Sequence, residues 1–260
     1  MNRLWILLFW IGIFSIVVFY LDFFLVERVP GRPTNSELRI GYVNTYAKVV
    51  NEKKVQELIG ADCDLWVFLE WTGENFDTVV WQKAGYHLLV NVPRGTKGIA
   101  LFSKKPFQST VLYPNIEILD KLPLVKSFVP FRGDTFVLFS LHAPPPIKEW
   151  NYSTGIFLSY LDSVIDRTMN LYQEFPLLVV GDFNTMPHQE RLTKILEDGL
   201  QDAHAVSDFF PGPTWSFTSL IPAFIRIDYI LFSGSIKVIN VDRFRLPASD
   251  HYGLIADFEI

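Results

Sequence analysis

The clearest hydrophobic pattern in the chain is the short apolar run 177–180, which lies between Pro176 and the sequence Gly-Asp-Phe-Asn at 181–184. An unbroken apolar run bounded by Pro and Gly is typical of a strand buried on both faces. Side chains two residues apart on an extended chain point the same way, so Asp182 and Asn184 should project together where the strand ends. The alternative is an ordinary turn, since Gly, Asp and Asn are common turn residues.

Alternating or continuous apolar residues predict further strands along the rest of the chain. These strands cover residues 38–44, 65–69, 86–90, 98–103, 124–131, 135–141, 226–232, 236–244 and 254–260. Apolar residues at helical spacing predict helices over residues 47–60, 73–85, 152–172 and 187–200. The fifth and sixth of these strands flank Arg132-Gly133-Asp134 and are predicted to form a hairpin. The pattern is that of an α/β protein with many strands.

Polar side chains stand where the predicted apolar strands end. They are Asn44, Glu70, His142, Asp182, Asn184, Asp228, Asp250 and His251. Each has an ordinary explanation when taken alone, because a carboxylate can mark the surface and a histidine can be a satisfied loop residue. Acids, amides and imidazoles at six separate strand ends are instead expected if these ends converge on one site.

The residue types in this set indicate a class of chemistry. Carboxylates and amides without cysteine suit a hard cation such as Mg²⁺, which takes oxygen ligands and keeps several waters. A metal of this kind neutralises charge that develops during phosphoester hydrolysis, while a carboxylate places the water and an imidazolium stabilises the oxyanion. The set therefore favours a metal-dependent phosphoester hydrolase.

Composition narrows the alternatives. The chain has 260 residues, of which 49% are hydrophobic, so it can bury a sizeable core as one large or two small domains. Its net charge of -5 weakens the case for tight duplex binding, because proteins that grip phosphates are usually basic on one face. The single cysteine, Cys63, excludes an internal disulfide.

The N-terminus carries a long apolar segment. Residues 4–21 contain no charge, and about 20 apolar residues suffice to cross a bilayer core. A cleaved signal peptide has a shorter apolar region and a small-residue cleavage site, which the sequence after Leu21 lacks. We therefore predict an uncleaved transmembrane anchor over residues 1–27, a linker over 28–36 and a catalytic domain over 37–260. A cleaved signal and a buried core helix are the alternatives.

The same segment predicts a single-pass membrane protein, with the bacterial inner membrane as the expected location. Orientation stays open at this point, because Arg3 lies on one side of the apolar run while Arg28 and Arg32 lie on the other. No feature of the sequence indicates an obligate protein partner.

Several of these motifs together resemble the endonuclease/exonuclease/phosphatase superfamily, the group that contains deoxyribonuclease I, and small membrane-attached bacterial members in particular. The matching motifs span nearly all of residues 37–260 and are Arg39–Asn44, Asp64–Glu70, Gly98–Pro106, Ser140-Leu141-His142, Val180–Asn184, Arg226–Leu231 and Ser249-Asp250-His251. The resemblance implies a four-layer α/β/β/α sandwich, in which two mostly antiparallel sheets pack face to face between outer helices.

The resemblance also implies a metal site. Glu70 would be the principal ligand of Mg²⁺, with Mn²⁺ as the alternative cation, and Asn44 and Asp250 would lie near the metal or its waters. Some branches of the superfamily carry an acid two positions after the first Asn. This chain has Tyr46 there, which argues for one metal rather than two.

The remaining residues would carry the catalytic and substrate-binding roles that the resemblance implies. Asp182 would orient or deprotonate the attacking water, and Asn184 would hold a phosphate oxygen. Asp228 would fix the tautomer of His251 and keep it positive against the phosphate. His142 would be a substrate-binding residue and a candidate general acid.

Three functional hypotheses follow. The leading one is a membrane-anchored hydrolase of nucleic acid, a phospholipid headgroup or a small phosphoester. The alternatives are a non-catalytic scaffold on the same fold and a secreted deoxyribonuclease-like toxin subunit. Substrate choice is expected to depend on loops at 91–97, 144–153 and 207–224, where Trp215, Phe217 and Phe224 either contact substrate or lipid, or pack in the core.

Overall fold

A computed structural model of the chain describes residues 5–6, 8–10, 12–17, 29–119, 121–146, 150–207, 212–234 and 236–260. Much of the predicted anchor over 1–27 lies outside these residues. Its described residues, 5–6, 8–10 and 12–17, are helical. Among the residues that the structure describes, no helix has both the length and the apolar character needed to cross a membrane.

The first of two six-stranded sheets contains β1 (Leu38–Asn44), β2 (Leu65–Leu69), β3 (His87–Val92), β4 (Ile99–Ser103), β11 (Lys237–Arg245) and β12 (Tyr252–Glu259). Its order is β11-β12-β1-β2-β4-β3. All its pairings are antiparallel except β1 with β2. The central strands β1, β2 and β4 are buried along their whole length.

The second sheet also has six strands, in the order β5-β6-β7-β8-β10-β9. They are β5 (Gln108–Leu112), β6 (Leu124–Phe131), β7 (Asp134–His142), β8 (Leu177–Asp182), β9 (Leu200–Asp202) and β10 (Asp228–Ser233). Here too one pair is parallel, β7 with β8. The predicted hairpin is confirmed, since β6 and β7 pair in register up to Phe131 and Asp134.

The helices are α1 (Glu52–Gly60), α2 (Thr78–Lys83), α3 (Trp150–Leu171), α4 (Glu190–Glu197) and α5 (Ala203–Ser207). One apolar core lies between the two sheets and includes Ile40 and Leu178. The outer face of the first sheet packs on α1 and α2, and that of the second packs on α3 and α4. The described domain is therefore an α/β sandwich of two mostly antiparallel sheets between helices, as predicted.

Several predicted boundaries are wrong for local reasons. Helix α1 begins at Glu52 rather than at residue 47, because Ala47 has a left-handed φ of 50° and Asn51 caps the helix by accepting from Lys54 N at 2.9 Å. Gly73 is likewise left-handed, at 88°, and α2 begins only at Thr78. Strands β5 and β9 and helix α5 were not predicted, since they are short and carry weak periodicity.

The described part of the predicted linker is bound to the domain. Arg32 Nη2 donates to Asp64 Oδ2 at 2.7 Å and to the carbonyl of Glu37 at 2.9 Å. The buried Arg39 donates from Nη2 to the carbonyl of Pro30 at 2.9 Å. These contacts fasten residues 30–37 where β1 begins, at the opposite end of the strand from Asn44.

Candidate active site

Strand direction alone brings the predicted site residues to one pole of the sandwich. Parallel neighbours end at the same pole. The last residue of β1, Asn44, therefore lies beside Leu69 at the end of β2, and Glu70 follows directly. In the same way, His142 at the end of β7 pairs with Asp182 at the end of β8. Antiparallel neighbours begin where the others end. Strand β10 therefore pairs Asp228 with Asp182, and β12 begins directly after His251.

The innermost part of the site is a carboxylate–imidazole pair. His251 Nδ1 lies 3.0 Å from Asp228 Oδ2 and 3.1 Å from Asp228 Oδ1. Asp228 also accepts a short hydrogen bond from the hydroxyl of Tyr42, and Thr214 Oγ1 accepts from the Asp228 backbone N–H at 3.2 Å. Ser249 Oγ accepts from His251 N at 3.0 Å. These contacts fix the orientation of the buried imidazole.

Asp182 lies between the two histidines of the site. Its Oδ2 is 3.4 Å from His142 Nε2 and 3.8 Å from His251 Nε2, and its Oδ1 accepts from the backbone N–H of Asn184 at 2.8 Å. Burial, followed by the negative charge of Asp228, raises the pKa of Asp182 well above its usual value. A carboxylate with a raised pKa is suited to accept a proton near neutral pH.

The two histidines carry different charges. Burial alone would lower the pKa of His251, but the attraction of Asp228, Asp182 and Asp250 raises it to about 10. Burial and the positive charge of His251 instead lower the pKa of His142 to about 4. At neutral pH the site therefore holds one imidazolium and one neutral imidazole, which differ in what they can donate.

A second group of acids, Glu70 and Asp250, lies in the same cleft, with Asp250 Oδ1 3.9 Å from His251 Nε2. Glu70 Oε2 and Asp250 Oδ1 are buried and have no hydrogen-bond partner among the described residues. Burial raises the pKa of Glu70 and of Asp250. Unpartnered buried carboxylate oxygens are costly unless a cation neutralises them, so these atoms fit a divalent metal.

Neighbouring residues hold the two acids in place. Asn44 Nδ2 donates to Glu70 Oε1 at 3.4 Å, while Asn44 Oδ1 accepts from Tyr46 N at 3.0 Å. Trp215 Nε1 donates to Asp250 Oδ2 at 3.2 Å. Glu70 also has a left-handed φ of 54°, an unfavourable conformation for a non-glycine residue, of the kind that clusters at functional sites.

A different group of atoms could also bind a metal. Asp182, Asp228 and His251 offer ligand atoms that all lie within 4.8 Å of one another. Asp228, however, already accepts from Tyr42 and faces His251 Nδ1 with both oxygens. Binding a cation there would break this network, whereas a cation held by the oxygens of Glu70 and Asp250 would leave it intact.

Asn184 follows β8 in a left-handed conformation with a φ of 48°, which Asn tolerates better than most residues. Its Nδ2 donates to the carbonyl of Ala143 at 2.8 Å, which uses one of the two amide hydrogens. The side chain lines the cleft, so the second hydrogen is available to a ligand.

These groups border a cleft of about 620 Å³. Six of the eight predicted residues line it, namely Glu70, His142, Asp182, Asn184, Asp250 and His251. Asn44 and Asp228 lie behind them and contact Glu70 and His251. The segment at 96–97, the prolines at 144–146 and Trp215 form other parts of the wall.

Sequence reasoning missed the residues that support the site. The sequence places Tyr42 only on one side of a predicted strand and Thr214 only in a loop. Ser249 enters only as part of the Ser-Asp-His motif, and none of the three is given a role in the site. A hydroxyl on an otherwise apolar strand face was the one available signal for Tyr42, because a buried phenol needs a partner. Trp215 was treated as either core or ligand-contacting, and the structure makes it half-buried at the cleft.

The fold and the cleft define a class of protein, an α/β sandwich that gathers acids and imidazoles at one pole of two facing sheets. A sequence model described as the Endonuclease/Exonuclease/phosphatase family matches residues 44–251. The chain belongs to this family. Comparison with curated protein sequences gives no match.

Solved structures share the fold at low sequence identity. A mannosyl-6-phosphatase of Bacteroides thetaiotaomicron is 19% identical with a TM-score of 0.59, and the alignment covers 86% of this chain and 100% of that one. The human Nocturnin catalytic domain with bound sulfate is 20% identical with a TM-score of 0.66, covering 85% and 94%. A 3'-5' exonuclease from Neisseria meningitidis is 18% identical with a TM-score of 0.66, covering 86% and 100%.

Proposed function

We propose that the chain is a Mg²⁺-dependent phosphoester hydrolase. This proposal is supported chiefly by two buried oxygens, Glu70 Oε2 and Asp250 Oδ1, which among the described residues accept no hydrogen bond and lie beside the two imidazoles, with Asp250 Oδ1 3.9 Å from His251 Nε2. These two residues would hold the metal, with Asn44 orienting Glu70 and Mn²⁺ as an alternative cation. When bound, the metal supplies positive charge against the phosphate and its developing negative charge.

Four side chains of the cleft would place the attacking water, stabilise negative charge and bind the substrate. Asp182 orients the attacking water and accepts its proton, because it lines the cleft and its Oδ2 lies 3.4 Å from His142 Nε2 and 3.8 Å from His251 Nε2. His251, kept positive by Asp228, stabilises negative charge on the phosphate oxygens. Asn184 donates its second amide hydrogen to a phosphate oxygen. His142 is neutral at pH 7 because its pKa is lowered to about 4, so it binds substrate by a hydrogen bond and is poorly suited to act as a general acid.

We propose in addition that residues 1–27 anchor the protein in a membrane, with the bacterial inner membrane as its location. Among the described residues of this segment, Trp5, Phe9, Trp10 and Phe14 expose between 61% and 69% of their surface. Apolar side chains of this size favour burial in lipid. Membrane fractionation and alkaline extraction of the full-length chain test the anchor, and recovery in the soluble fraction would exclude it.

The position of the linker on the domain favours one class of substrate over another. Residues 30–37 are fastened where β1 begins, and β1 runs seven residues, or about 23 Å at strand spacing, to Asn44 at the cleft. An anchor attached there would place the bilayer at the pole opposite the cleft. This arrangement supports a soluble phosphoester over a lipid of the same membrane.

Hydrolysis by the full-length protein tests the proposed function. Plasmid DNA, sphingomyelin, a phosphoinositide and bis-(p-nitrophenyl) phosphate would each be incubated with Mg²⁺, with and without chelator. We expect chelator-sensitive turnover of at least one substrate by the wild type and none by the His251→Ala variant. Lys83→Ala, on α2 and outside the cleft, is the control. Turnover of none, with metal bound, would favour a non-catalytic scaffold.

A further inference from the structure

One loop extends from the catalytic cleft. Trp215 forms backbone bridges with Ile225 and with His251, and the N–H of Phe224 donates to the Trp215 carbonyl at 3.0 Å. The N–H of Ser216 donates to the carbonyl of Asp250 at 2.9 Å. The base of the loop is therefore tied to the site. Beyond it, residues 217, 218, 220, 221 and 224 are exposed, whereas residues 222 and 223 are buried.

The loop carries an apolar surface that we call the aromatic lip. It consists of the rings of Trp215, Phe217 and Phe224, together with the exposed Leu220 and Ile221 of the same loop. Phe217 is 70% exposed and Leu220 is 83% exposed. The three rings pack on one another, with centroids 5.1 Å apart for Trp215–Phe217 and 4.9 Å apart for Phe217–Phe224. A contiguous exposed apolar patch in a folded protein usually marks a binding surface.

The aromatic lip is continuous with the cleft. Trp215 belongs to both, since its indole N–H donates to Asp250 and its side chain lines the cleft. Ile225 and Ile227 continue the apolar wall inward from the lip. A phosphoester held at His251 can therefore extend its ester group along this wall and onto the lip.

The charges of the cleft argue against a long polyanion. Among the described residues that line it, Lys97 is the only Lys or Arg, whereas Glu70, Asp182 and Asp250 are acidic. Proteins that follow a nucleic acid backbone neutralise several successive phosphates with basic side chains. The wall around the phosphate site thus favours a small substrate with one phosphate and an apolar remainder.

We propose that the aromatic lip binds the apolar ester group of a small phosphoester substrate and so sets the enzyme's preference. This inference rests on the proposed function and names the substrate class of the same site. A membrane surface is the less favourable occupant, because the linker is fastened at the opposite pole of the sandwich.

Direct binding tests the lip whether or not turnover is found. Calorimetry would measure the affinity of the full-length protein, with Mg²⁺, for methylphosphonate, hexylphosphonate and benzylphosphonate, which share one headgroup. Burial of several carbon atoms predicts at least about tenfold tighter binding of the two larger ligands. The Phe217→Ser/Phe224→Ser double variant should lose this preference but keep its affinity for methylphosphonate.

Two further variants guard against general effects of the substitutions. Leu220→Ser changes a residue that is 83% exposed, so it should reduce the preference without affecting folding. Leu171→Ser, 63% exposed at the end of α3 and outside the cleft, is the matched control and should behave as the wild type. Equal affinity of the wild type for all three phosphonates would overturn the proposal. So would a vesicle affinity that falls in the double variant while the ligand preference persists.

The outcomes separate this proposal from the one it rests on. A preference that depends on the lip, in a protein without turnover, would support the binding surface and count against hydrolysis. Turnover of bis-(p-nitrophenyl) phosphate with no preference among the phosphonates would support hydrolysis and contradict the proposed role of the aromatic lip in substrate binding.

Discussion

Among single residues, buried hydrogen bonds and charges determine the orientation and the charge of each side chain in the cleft. His251 and His142 lie on either side of Asp182 Oδ2, at 3.8 and 3.4 Å, yet their pKa values move in opposite directions. The difference arises largely from Asp228, which touches His251 Nδ1 at 3.0 Å, together with the charges of Asp182 and Asp250. Tyr42, which sequence reasoning missed, holds that carboxylate from the facing sheet.

Replacing Tyr42 by Phe should therefore slow catalysis as well as destabilise the fold. The variant removes one hydrogen bond to a charged group, which is worth about 1.5–3 kcal/mol, so kcat should fall roughly tenfold or more with KM little changed. Tyr86→Phe is the matched control, because the Tyr86 hydroxyl donates to the Cys63 carbonyl at 2.6 Å away from the cleft. Equal kcat values for the two variants would mean that Tyr42 has no positioning role.

The two histidines also predict opposite pH dependences of stability in the metal-free protein. The folded pKa of His251 is raised to about 10, so its contribution is fully present below its ordinary pKa of about 6.5 and is lost as pH rises toward 10. The folded pKa of His142 is lowered to about 4, so its contribution is present above pH 6.5 and is lost as pH falls toward 4.

Denaturant unfolding of wild type, His251→Asn and His142→Asn between pH 4 and 10 measures these contributions. The stability difference between wild type and His251→Asn should shrink on the alkaline side, and that between wild type and His142→Asn should shrink on the acid side, each by at least about 1 kcal/mol. Two differences that stay flat with pH would contradict the assigned charges.

At the scale of elements, the long central strands were predictable, whereas short elements and helix starts were not. The run before Asp182 is a buried strand as expected, because Val179 and Val180 face different cores. Strand β9, with three residues, has too few positions to show alternation. Helix α4 ends at Glu197 because Gly199 is left-handed, at 92°, a backbone state that periodicity does not reveal.

Gly181 tests how strand packing positions the site. A Cβ at this position would lie 2.0 Å from the carbonyl oxygen of Leu141 on β7, the neighbour of the strand that carries Asp182. Gly181→Ala should destabilise the fold by about 1–3 kcal/mol and reduce turnover in the remaining folded protein. Gly60→Ala, with nothing within 4 Å of its added Cβ, is the control. Unchanged stability of Gly181→Ala would contradict the close packing of β7 and β8.

At the scale of the whole molecule, two sheets place the polar strand ends at one pole and the linker at the other. The eight predicted polar residues meet because each lies at or beside a strand terminus and strand pairing brings these termini to the same pole. Acids, amides and imidazoles beside apolar strands could be recognised in the sequence before the pairing was known. The aromatic lip could not be predicted, because an aromatic residue in a loop has the same local signal whether it is buried or exposed.

The proposed mechanism depends above all on a divalent cation held by Glu70 and Asp250 in this cleft. The most direct measurement is a Mn²⁺ titration of the metal-free full-length protein, in which bound Mn²⁺ is followed by electron paramagnetic resonance and phosphoester hydrolysis is followed in parallel. We expect one ion per chain and a single saturation curve for binding and activity. Glu70→Gln should weaken both by at least about tenfold, and the exposed Glu74→Gln should change neither. Hydrolysis that persists without bound metal, or metal binding that Glu70→Gln leaves intact, would contradict the account.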